Sequence, residues 1–113
     1  MSNARLQSNL ALAYYKTNSP ALAIKIISEL KEKSKVTVAQ SPDFNVGWFY
    51  SGIGEVDSAF YWLEKAYKNK SPEFVWLKAD PVFYNLKGDK RYWDLYEKTG
   101  HKAYDDYIGG LKK

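Results

Sequence analysis

"PDFNVGWFYSGIGEVDSAFYWLEKAYKNKSP", residues 42–72, decides how the chain is read. A Ser-Pro step stands at each end of it, Ser41-Pro42 and Ser71-Pro72, and Gly54 divides it. After the glycine, Val56, Ala59, Phe60, Leu63, Ala66 and Tyr67 recur at steps of three and four, which places them on one face of an α-helix. Tyr61 and Trp62 fall off that face and are expected to lie against the helices that follow. The stretch therefore predicts a helix, a tight turn and a second helix.

The same punctuation recurs along the chain. All four prolines follow a capping residue, in Ser19-Pro20, Ser41-Pro42, Ser71-Pro72 and Asp80-Pro81. Ser and Asp side chains accept hydrogen bonds from the first free amides of a helix, and proline at the first helical position gives up only an amide with no helical partner. Gly54, Gly88 and Gly100 stand where turns are needed. Ala23, Ile24, Ile27 and Leu30 repeat the helical spacing after Pro20. Helices are predicted over 5–17, 20–34, 42–53, 56–69, 72–78, 81–86, 89–99 and 102–111. Only Val36-Thr37-Val38 alternates like a strand, and it is too short to build a sheet. The predicted class is all-α.

A shift of 36 residues maps the first half of this pattern onto the second. Leu10 then faces Val46, Ala11 Gly47, Tyr14 Tyr50, Asn18 Gly54, Ala23 Ala59, Ile27 Leu63 and Leu30 Ala66. Small residues meet small and large meet large, apart from the looser last pair. Asn and Gly both accept the left-handed backbone that a tight turn between helices demands.

Gly47, Tyr50, Gly54, Ala59, Leu63, Ala66 and Pro72 resemble the signature of a tetratricopeptide repeat, a 34-residue helix–turn–helix unit, with two extra residues in the loop near 35–40. The motif's early tryptophan is Asp43 here, its next large position is the smaller Val46, and its closing proline falls one residue late. The first repeat has Asn18 in place of Gly and no closing proline. The resemblance covers residues 5–73 as two repeats and implies an α-α superhelix of hairpins. Residues 74–113 are expected as a helical C-terminal cap. Within it, Leu77, Asp80-Pro81, Phe83, Leu86, Asp89, Arg91-Tyr92, Leu95 and Gly100 look like the closing segment of bacterial tetratricopeptide proteins, with Lys90 where a proline is usual. In those families the repeats often follow a winged-helix, nucleotide cyclase or kinase domain. This implies an alternative role as the C-terminal regulatory arm of a larger protein. Ser2-Asn3-Ala4 resembles the remnant of a removed affinity tag, so residues 1–4 are set aside from functional argument.

Composition excludes more than it assigns. The chain has 113 residues, 17 Lys and Arg against 13 Asp and Glu, and no cysteine. There is thus no disulfide framework and no thiolate metal site, and the expected setting is cytoplasmic. No apolar run approaches the roughly 18 residues of a membrane span. The net charge of +4 is spread along the chain. Its densest run, Lys31, Lys33 and Lys35, sits where a helix ends and cations complement the dipole. Nucleic-acid binding, which favours a basic stripe, is disfavoured. His101 is the sole histidine and is read as a helix-end residue rather than a ligand. Glu55/Asp57 and Asp105/Asp106 are too close in sequence to converge on one helix face. No catalytic residue, metal ligand or cofactor is expected.

A binding role is better founded. In tetratricopeptide arrays the first helix of each repeat lines a concave groove that takes peptides or proteins. The resemblance places Ser8, Leu12, Tyr15 and Lys16 on that face in the first repeat, and Phe44, Trp48, Ser51 and Gly52 in the second. Tyr15 and Trp48 are the candidate apolar anchors, with Arg5 and Lys16 as polar rim. The competing expectation is that the C-terminal helices cover these aromatics. Ser8, Leu12, Phe44 and Trp48 stand where a clamp for peptide carboxylates would want Lys and Asn, so that partner class is disfavoured. Trp76, Phe83, Tyr84, Tyr92, Trp93, Tyr96, Tyr104 and Tyr107 are expected mostly as core and cap, since the end of a repeat stack must be hidden from water. Fewer than three repeats are marginal alone. Self-association through the N-terminal face, or a preceding part of the array, is therefore expected.

Overall fold

A computed structural model describes residues 3–111, so Met1 and Ser2 of the segment set aside and Lys112–Lys113 of the expected cap lie outside it. The described residues form six α-helices and two 3₁₀ turns, with no strand. The helices are α1 (Ala4–Lys16), α2 (Pro20–Ser34), α3 (Pro42–Gly52), α4 (Val56–Lys68), α5 (Lys90–Lys98) and α6 (His101–Leu111). Pro72–Trp76 and Pro81–Leu86 are 3₁₀ turns. The first was expected as a longer helix over 72–78. A proline every nine residues restarts the chain there before a full α-turn can propagate.

Short loops make α1–α2 and α3–α4 antiparallel hairpins. Asn18 at φ 70° and Gly54 at φ 81° turn the chain at matching positions of the two. Gly47 lets α3 approach α4 closely: a Cβ there would lie 2.9 Å from Leu63 Cγ and 3.3 Å from the Ala59 carbonyl oxygen. Ala11 and Ala23, the counterparts of Gly47 and Ala59, are fully buried in the first hairpin.

The proline steps cap unevenly. Ser71 accepts from the Glu73 amide and Asp80 from the Val82 amide, as expected. Ser19 and Ser41 make no side-chain cap. Ser41 sits at φ 50°, and its hydroxyl instead accepts from Ser71 Oγ at 2.7 Å, tying the two proline turns together. Asn3 caps α1 by accepting from the Arg5 and Leu6 amides, and Ala4 is fully buried.

Two apolar clusters form the core. One holds Ala4, Ala11, Ala23, Ile27, Leu30, Val46 and Phe49, where α3 docks across the first hairpin. The other joins Phe44, Phe60, Leu63 and Ala66 to Phe74, Leu77, Phe83, Leu86, Tyr92, Leu95 and Tyr96. Residues 74–96 thus pack against α3 and α4 as part of one core. Phe83, Tyr92 and Tyr96 are buried as expected, but Trp76, Tyr84, Trp93, Tyr104 and Tyr107 remain exposed. Helix α6 buries no residue, so the aromatics it carries have nothing to pack under.

Expectations for several single residues change: Tyr61 lies exposed, edge-on to Trp62, rather than against the following helices. Trp62 packs back toward the first hairpin, with the Lys31 and Lys65 ammonium groups over its ring, rather than against the following helices. His101 opens α6: it stacks on Tyr96, and its Nε2 lies 2.7 Å from the Phe74 carbonyl oxygen. Tertiary packing places it, not a helix dipole. Beside it the Tyr96 hydroxyl donates to Asp105, which pairs with Lys78 at 2.6 Å. Lys78, and then Tyr96, hold the Asp105 carboxyl below its ordinary value.

Asp89 caps α5 and is gripped by Arg91, which also reaches Asp57 from the same guanidinium. These bonds hold the Asp89 carboxyl at about 2. In an unfolded chain it would titrate near ~3.9. The folded form binds this proton more weakly, so the contribution is complete above about pH 4 and fades as the pH falls through about 2. Asp89→Asn keeps a capping side chain but removes the titration. Thermal melts between pH 5 and pH 2 are expected to fall less steeply for this variant than for the parent. Parallel curves would show that Arg91 does not stabilise the charged form.

Candidate partner-binding groove

Helix α3 is covered on one side by α1 and on the other by residues 72–86. Ser8 Oγ donates to Asn45 Oδ1 at 3.2 Å across the first junction. At the second, Ser51 Oγ donates to the Val82 carbonyl at 2.6 Å, and Asn85 Nδ2 donates to the Ser51 carbonyl at 2.8 Å. Trp48 Nε1 donates to the Asp80 carboxylate at 2.9 Å. Because Asp80 also caps the Pro81–Leu86 turn, a single carboxylate fixes both the indole and the segment beside it.

This arrangement sorts the eight predicted groove residues. Ser8, Phe44 and Ser51 are buried, so they brace the fold and present nothing to a partner. Phe44 is enclosed by Phe74 at 5.1 Å and Phe83 at 5.6 Å between ring centres, both edge-on. Tyr15 is 40% exposed, with one edge against Phe49. Arg5 lies over the Trp76 ring at 5.2 Å and within 3.7 Å of Glu73, bridging α1 to the tail. Leu12, Lys16 and Trp48 come together.

These three line one cleft with Gly52, Asp80, Pro81, Val82 and Asn85, enclosing about 370 Å³. That lies at the small end of ligand clefts. Leu12, Trp48, Pro81 and Val82 make its walls apolar, with Lys16, Asp80 and Asn85 as polar groups. Lys16 forms no ion pair with any described residue. The Asp80 carboxylate is already engaged by the indole and the Val82 amide. The free charge in the cleft is thus a cation.

The wall from Asp80 to Asn85 was missed in the sequence. The signal available was Asp80-Pro81, read as a helix start and as part of the closing segment but not as a wall of the groove. Two other clefts hold none of the predicted residues. One, of about 530 Å³, lies between Tyr67, Lys68, Lys70, Phe74, Val75 and Thr99. The other, of about 580 Å³, lies beside Phe60, where Arg91 covers the ring. Among the described residues no group of three or more His, Asp or Glu side chains is placed to hold a metal ion. No helix among them is long and apolar enough to cross a membrane. No protein-family model, curated protein or solved structure matches the chain.

Proposed function

We propose that the chain is a non-enzymatic, tetratricopeptide-like interaction module that binds a peptide or protein segment in the cleft over α3. The observation that carries this reading is the meeting of Leu12, Lys16 and Trp48 in one apolar-walled cleft with an uncompensated ammonium group. Apolar walls take up a bulky side chain of the bound segment, and Lys16 favours a carboxylate next to it. Tyr15, one residue from Lys16 and partly exposed, extends the contact along α1. The hairpins supply a rigid support, since the cleft walls are fixed by backbone and carboxylate hydrogen bonds rather than by a loop.

Peptides selected by the chain from a random display library test this directly. Selected sequences are expected to share a large apolar residue beside Asp or Glu. Trp48→Ala should weaken their binding about tenfold or more, as truncation of a buried aromatic anchor does, and Lys16→Glu should reverse the acidic preference. Tyr61→Ala, outside the cleft, should change neither. Binding that ignores both Trp48 and Lys16 would sink the proposal. So would a Trp48→Ala variant that loses its helical circular dichroism, because the indole would then belong to the core.

A further inference from the structure

The second hairpin docks on the first through Val46, Phe49, Tyr50 and Ile53 of α3 and Trp62 of α4. Thirty-six positions earlier stand Leu10, Ala13, Tyr14, Thr17 and Ile26. Tyr14 and Ile26 pack in part against the first hairpin's own core, and Leu10, Ala13 and Thr17 stand exposed. Leu10 is 46% exposed, Ala13 is exposed, and Tyr14 and Ile26 are half-buried. Leu22, one helical turn before Ile26, is 48% exposed. The outer face of the first hairpin therefore repeats, in position and largely in chemistry, the face that the second hairpin buries.

Gln7 extends the parallel. Its counterpart Asp43 is buried and accepts from Asn69 Nδ2 at 2.6 Å. Gln7 Oε1 is also buried but has no donor among the described residues. On the other side of the second hairpin the corresponding face is occupied. Phe44, Phe60 and Leu63 are covered by Phe74, Leu77, Phe83 and Leu86. A copy stacking head to tail would meet that covered face, which leaves outer face against outer face, the closed two-fold arrangement.

Charge favours the same pairing. Lys25 and Glu29, both exposed, and the half-buried Lys33 follow one another at helical steps along α2, and none forms an ion pair with a described residue. A two-fold axis perpendicular to α2 and passing between two of these positions sets the helix antiparallel to its copy, one step out of register. An edge reading plus, minus, plus can then place each Glu29 opposite a lysine. We propose that two copies of the chain associate through this face, with Leu10, Tyr14, Leu22 and Ile26 at the centre and Glu29 paired across the axis. A second copy is the partner that brings, from this same chain, both an open apolar face and a complementary edge.

Sedimentation velocity over a dilution series of the chain is expected to show a reversible dimer. Leu10→Lys combined with Leu22→Lys should raise its dissociation constant about 100-fold or more, equivalent to ~2.8 kcal/mol at ~1.4 kcal/mol per decade. Glu29→Lys should weaken it as well. Mixing that variant with Lys25→Glu/Lys33→Glu should restore association as a heterodimer. With no native cysteine, Leu10→Cys offers a test that adds no charge to the face. A thiol near the axis cross-links to its own copy under mild oxidation, whereas Tyr61→Cys should not. A monomer at every attainable concentration overturns the proposal. So does a dimer indifferent to Leu10 and Leu22 that fails to cross-link through the new thiol.

Discussion

Ending the chain after Lys70 is expected to abolish cooperative unfolding of the remainder. Both hairpins would be kept, but Phe44, Phe60 and Leu63 would lose the cover supplied by Phe74, Leu77, Phe83, Leu86, Tyr92 and Leu95. Emptying the space beside one large core side chain typically costs about 3–5 kcal/mol. Several such losses exceed the roughly 5–15 kcal/mol that holds a typical domain together. Circular dichroism should show a broad, early loss of helix, and a dye specific for exposed apolar surface should bind the fragment but not the parent. A sharp transition within a few degrees of the parent would mean that the hairpins are autonomous and the tail an appendage.

Phe44→Ala is expected to lower stability by about 3–5 kcal/mol. The ring is only 3% exposed and is met edge-on by Phe74 and Phe83, so the change removes contacts on both sides of the junction between α3 and the tail. Tyr15→Ala, at a partly exposed ring, should cost much less. Chemical denaturation of the two variants side by side decides the matter. Similar small losses would place Phe44 on an open groove rather than within the core.

That contrast shows where the sequence could be read and where it could not. Hairpin geometry depends on local facts: the helical spacing from Val56, the Ser-Pro starts, and residues tolerant of positive φ at 18 and 54. Each was visible without knowledge of the rest of the chain. The burial of Phe44 and Ser51 depends on residues 72–86 folding back over α3, and nothing near position 44 encodes that return. Ser8 was similarly opaque, because its partner Asn45 lies 37 residues away. The groove face was legible as a helix face, but its far wall was not. Only the tertiary contact from Trp48 to Asp80 reveals it. In the tail, aromatic content foretold a core but not which rings would fill it. α5 buries Tyr92 and Tyr96, whereas α6 lies at the surface with Tyr104 and Tyr107 outward.

The return of the tail over α3 also has a temporal consequence. Chains emerge from the ribosome at about 5–20 residues per second. Phe44 and Trp48 are therefore made seconds before Phe83 and Asp80, which cover and bond them. From the synthesis of Lys68 until that of Phe83, a nascent chain holds the residues of both hairpins with one apolar flank bare. The last part of the core to be synthesised is the part that seals it, so the vulnerable moment of this protein's life falls during its own translation.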